Sequence, residues 1–128
     1  MVTPFGKFLK QLVIEKDTSF ISMAGLMDYS KAYLSLICSG QRQIPDDMIE
    51  KLKKLYKLTD QQVYEAQIAK LKTEGSFNVS MGKNKEKEAF TSAAYTIMET
   101  FPKLNEKQAQ EVIDLFATFN KKKWPWQK

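Results

Sequence analysis

The chain has no histidine and a single cysteine, Cys38. Without imidazole, histidine-based acid–base catalysis is excluded, and one thiol alone cannot build a zinc site. A lone cysteine forms no internal disulfide, which fits a reducing, cytoplasmic setting. Cys38 itself reads as a half-buried packing residue rather than a reactive thiol. No apolar run approaches the roughly 18 residues of a membrane span. The opening MVTPFGKFLK has Pro and Lys breaking up its apolar residues, so it does not read as a signal peptide. Paired catalytic acids, an activated nucleophile and a phosphate-cradling glycine loop are all missing. An enzyme is therefore not expected, nor a cofactor or a metal.

Basic charge is also scarce where it would matter most. The 128 residues carry a net charge of +5. Residues 1–70 hold nine Lys and one Arg against eight acids, a net of +2. Residues 87–120 are net −2, and the last eight, KKKWPWQK, are net +4. Most of the basicity thus sits in the C-terminal tail, so the isoelectric point alone says little about a phosphate-bearing partner.

What is present is a chain of 43% hydrophobic and 27% charged residues with helical periodicity almost throughout. The expectation is an all-α protein. Thr3 as N-cap and Pro4 at the first helical position open helix 1, whose apolar face is Phe5, Phe8, Leu9 and Leu12. Pro45 is expected to open helix 4, with Asp46 and Asp47 in its first turn and Ile49, Leu52, Leu55 and Tyr56 as its buried face. Thr59 and Gln62 have the capping-box spacing that opens helix 5, which continues through Val63, Ala66 and Ile68.

Residues 73–86, TEGSFNVSMGKNKE, lack a helical period and read as a linker. They divide a first domain, residues 1–72, from a helical hairpin over 87–120 and a basic tail over 121–128. In the hairpin Phe90, Ala94, Ile97 and Phe101 form one stripe, closed by Pro102. Asn105 and Gln108 cap the next helix, whose stripe is Ala109, Val112, Ile113, Phe116 and Phe119. About 35 residues are too few to stand alone, so the hairpin packs either on the first domain or on another subunit. The intervening linker favours a homodimer through Phe90, Ala94, Ile97, Phe101, Val112 and Phe116.

The stretch Ser19–Arg42 organises the chain. Ile21, Met23, Ala24 and Met27 mark one short helix. Ser30 caps a second, in which Leu34 and Ile37 face inward and Gly40 ends the run. Two helices of about eight residues, joined by Asp28, Tyr29 and Ser30, with small Ala24 at their crossing, describe a helix-turn-helix.

This stretch resembles the XRE/Cro-type helix-turn-helix family of phage and bacterial transcription regulators. The matching residues are Gly6, Leu9 and Leu12; Ser19 and Met23-Ala24; Ser30 to Ser35; and Gly40 to Pro45, within a resemblance running from about Thr3 to Ala69. It implies a five-helix, lambda-repressor-like domain that docks its third helix in the major groove of an operator in double-stranded DNA, as a homodimer, without a cofactor. A repressor of a phage or prophage and an autoregulating antitoxin, with a toxin as second partner, fit equally.

With Leu34 and Ile37 inward, the outward set of helix 3 is Lys31, Ala32, Ser35 and, in part, Leu36. The resemblance makes Lys31, Ala32 and Leu36 base-facing and brings Tyr33 near a phosphate or a base. A lysine donates to guanine O6 and N7; alanine and leucine offer only apolar contact, as to a thymine methyl. Ser30, Ser35 and Ser39 are hydroxyls suited to phosphate oxygens. Gln41, Arg42 and Gln43 lie in the loop that meets the DNA backbone in this family. Ser19 and Phe20, opening helix 2, complete the DNA-contacting set.

Four positions depart from the family's pattern. Val13 stands where an arginine is common, Phe20 where helix 2 presents a glutamine, Asp28 where the turn has glycine, and Cys38 where glutamate is usual. A second function therefore stays open: a protein-interaction adaptor on the same scaffold, using Phe20, Tyr29 and Tyr33 or the hairpin. The tail with Trp124 and Trp126 reads equally as inert, as a source of phosphate contacts, or as a dock for another subunit or a membrane surface.

Overall fold

The computed structural model describes residues 2–120. Among them are seven α-helices and two 3-10 turns and no strand. The chain is all-α. It divides into two compact units, residues 1–77 and 78–128. The basic tail 121–128 lies outside the described residues.

The first unit holds α1 (Pro4–Glu15), α2 (Phe20–Leu26), α3 (Lys31–Ser39), α4 (Met48–Tyr56) and α5 (Asp60–Glu74). Each begins where local chemistry supplies an acceptor or a turn. Thr3, Ser19, Ser30 and Thr59 cap α1, α2, α3 and α5 with their side-chain oxygens, and Thr59 and Gln62 form a full capping box. Helix α1 packs on α5, α3 and α2, while α2 packs on α3 and α4 on α5. The core they enclose is built on Phe5, Leu9, Leu12, Met23, Leu34, Ile37, Met48 and Leu52, all essentially inaccessible.

Several expectations need correction. Pro45 does not open α4. It begins a turn closed by the Met48 N–H on the Pro45 carbonyl at 3.1 Å, and α4 starts three residues later. The buried pair Met48 and Ile49 sets that start. Leu55 is 38% exposed, because the buried stripe of α4 runs along Ile49, Leu52 and half-buried Tyr56. Ile21 is 64% exposed: in α2 the stripe is Phe20, Met23, Ala24 and Met27, and Ile21 is one position out of phase. Helix α5 runs to Glu74, two residues into the stretch expected to be linker, and Gly75 ends it in the left-handed conformation.

The second unit holds a 3-10 turn at Gly82–Asn84, α6 (Glu88–Thr100), a 3-10 turn at Phe101–Lys103 that contains Pro102, and α7 (Glu106–Phe119). Asn105 and Gln108 form the capping box of α7. The expected hairpin does not close: α6 and α7 do not pack along their lengths, and neither buries a single residue. The 3-10 turn separates them, since Pro102 has no N–H to continue the α-helical ladder. No helix among the described residues is long and apolar enough to cross a membrane.

Candidate nucleic-acid interface

Helix α3 is fixed in phase by its two ends. At the start the Ser30 Oγ accepts from the Tyr33 N–H at 3.0 Å. At the end Gly40 adopts φ 84°, where only glycine is unstrained, and its N–H donates to the Ile37 carbonyl at 3.2 Å. Leu34 and Ile37 are buried. Lys31, Ala32 and Ser35 are therefore exposed on one face, with Tyr33 and Leu36 half-buried at its edges.

The C-terminal end of α3 is tied to α1. Thr3 donates to the Cys38 carbonyl from both its N–H, at 3.2 Å, and its Oγ1, at 2.9 Å. Burial pushes the Cys38 thiol above its ordinary value, with Lys10 pulling it partly back. The loop after Gly40 doubles back at once: the N–H groups of Gln41 and Arg42 both donate to the Leu36 carbonyl, at 2.9 and 3.2 Å. Gln41, Arg42 and Gln43 are exposed there.

At the start of α2 the exposed Ser19 accepts from the Ser22 N–H at 3.1 Å. Ser19 and Ser30 thus use a lone pair in capping and keep a hydroxyl hydrogen for a further partner. Ser39 donates its hydroxyl to the Leu36 carbonyl at 3.1 Å, so a phosphate oxygen would have to displace that bond. Phe20 packs against the core.

Tyr29, expected only at a protein-interaction surface, and Lys51, not singled out in the sequence, join this surface. The Tyr29 and Tyr33 rings meet edge-on with centroids 5.1 Å apart. The Lys51 Nζ stands 5.0 Å from the Tyr29 ring centroid and 3.6 Å from the Asp47 Oδ2. Burial works against the Lys51 charge, but Tyr29 and Asp47 outweigh it and raise the pKa. The Asp47–Lys51 spacing is legible in sequence as a helical i, i+4 pair. The approach of Lys51 to Tyr29, from another helix, is not.

The surface can donate hydrogen bonds and positive charge from Lys31, Arg42 and the serines, and apolar contact from Ala32 and Leu36. Among the described residues no cluster of His, Cys, Asp or Glu is disposed to hold a metal.

In the second unit the residues expected at a dimer contact are exposed or half-buried. Phe90, Ile97, Phe101 and Phe116 are 45%, 43%, 46% and 53% exposed, and Ala94 and Val112 are half-buried. A shallow depression on α7 is lined by Leu104, Gln108, Glu111, Val112 and Leu115. Compared with known proteins, the chain matches no family model, no curated protein and no solved structure.

Proposed function

We propose that the first unit is an XRE/Cro-type helix-turn-helix domain and that the chain is a homodimeric transcription regulator which reads an operator with α3. The supporting observation is the phase of α3. The Ser30 cap and the buried Leu34 and Ile37 leave Lys31, Ala32 and Ser35 as an uninterrupted exposed face. A helix entering the major groove presents its first turn and outward face to base edges. Arg42 follows in a loop pinned to the end of the same helix, in reach of the phosphate backbone.

The dimer part of the reading rests on α6 and α7. Phe90, Ile97, Ile113, Phe116 and Phe119 are each between 42% and 70% exposed. A phenylalanine buries roughly 150–250 Å² when fully covered, so with the two isoleucines on the order of 500 Å² per copy is left to cover. Two copies pairing would bury about 1,000 Å², at the lower bound for a specific interface.

The test is a salt titration of full-length protein on random and operator-bearing duplex. Binding should weaken linearly in log–log form, with a slope that drops in Arg42→Ala. If no duplex is bound at low salt, the adaptor reading replaces this one.

A further inference from the structure

We infer that the last turn of α5 is a strap for the loop after α3, with Glu74 as the residue that positions Gln41 and Arg42. The inference rests on the DNA-binding reading above and deepens it. Three polar side chains from the last five residues of α5 reach earlier segments of the first unit. The Glu74 Oε2 accepts from the Ile44 N–H at 3.3 Å. Lys70 pairs with the Asp46 Oδ1 at 3.6 Å. The Thr73 Oγ1 accepts from the Phe5 N–H at 2.9 Å and donates to the Ala69 carbonyl at 2.8 Å. The two contacts to the loop fall on either side of Pro45.

The loop is therefore held at both ends. Its first two N–H groups are bound by the Leu36 carbonyl, and its last, at buried Ile44, is bound by Glu74. Gln41, Arg42 and Gln43 are suspended between these anchors with their side chains exposed. A carboxylate in the final position of a helix is opposed by the helix dipole, which favours cations there. Nothing within α5 asks for a glutamate at its end. The demand comes from Ile44, whose N–H at a part-buried site takes Glu74 as its acceptor. Glu74 meets a need of the loop at a cost to its own helix.

Full-length Glu74→Ala, Glu74→Gln and Glu74→Asp decide the matter by amide hydrogen exchange and by salt titration on duplex DNA. In Glu74→Ala the Ile44 amide should exchange about tenfold faster while Leu34 in the core is unchanged. The salt slope should fall by about one per subunit as the Arg42 contact is lost. Glu74→Gln keeps an acceptor at the same reach and should match the parent in both. Glu74→Asp keeps the charge but withdraws the oxygen by one methylene, and should behave as Glu74→Ala. Unchanged Ile44 exchange in Glu74→Ala, or faster exchange with the salt slope intact, overturns the inference. So does an aspartate variant that behaves as the parent while the glutamine does not, since charge rather than the hydrogen bond would then matter. If the parent protein binds no duplex, the DNA reading and the positioning role fall together. The exchange rates still decide whether Glu74 holds the loop.

Discussion

Gly6 of α1 lies directly against the backbone of Cys38 in α3: a Cβ built on Gly6 would stand 2.5 Å from the Cys38 carbonyl oxygen. That oxygen also receives both bonds from Thr3, so it cannot retreat without losing them. Gly6→Ala gains helix propensity but forces α1 and α3 apart. Overpacking of this kind costs about 1–3 kcal/mol, which urea unfolding would report as a lower midpoint.

Among the described residues three non-glycine residues have positive φ, including Asp28 at 62° and Lys57 at 51°. Left-handed backbone costs an L-residue about 1–2 kcal/mol, less for aspartate than for lysine. Lys57→Gly should therefore stabilise the first unit, and Asp28→Gly should do so by less. Thermal unfolding of the two variants checks both the sign and the order.

The apolar residues Phe90, Ile97, Ile113, Phe116 and Phe119 of α6 and α7 are exposed. Replacing Ile97 and Phe116 by Asp places charges on them and should convert dimers to monomers in sedimentation, with the first unit still folded. A parent chain that is already monomeric at tens of micromolar contradicts the dimer.

Burial raises the Cys38 pKa above its ordinary value of 9.0. The folded state thus prefers the thiol, and the resulting stability is complete below that value and lost as pH rises through the folded pKa. As pH rises past the ordinary thiol value of 9.0, stability should fall more steeply in the parent than in Cys38→Ala. Alkylation of Cys38 at about pH 8 should be slower than that of a small free thiol.

Helix starts were the most legible part of this chain, because a cap is a local event. Thr3, Ser30, Thr59 and Asn105 each stand within three residues of the N–H they accept. Leu34 and Ile37 were legible for the same reason, since their spacing fixes one face of one helix. Features set by distant residues were not. Glu74 meets Ile44 across 30 residues and Thr73 meets Phe5 across 68, and no pattern near residue 73 marks them as other than linker. Pro45 misled because a proline serves a turn as well as a first helical position. The failure of α6 and α7 to close on each other was equally hidden: amphipathic stripes reveal that a face needs cover and not what covers it.

Reading of base edges by α3 is tested most directly by selection of bound sequences from a random duplex pool by the parent, Lys31→Ala and Arg42→Ala. The parent should enrich a two-fold symmetric site with half-sites about 34 Å apart along the duplex. Lys31→Ala should lose preference at one position per half-site, a discrimination of roughly 1–3 kcal/mol, and keep the rest. Arg42→Ala should retain the whole site while weakening binding to every sequence alike. Enrichment of no sequence by the parent, or a Lys31→Ala site identical to the parent's, would contradict it.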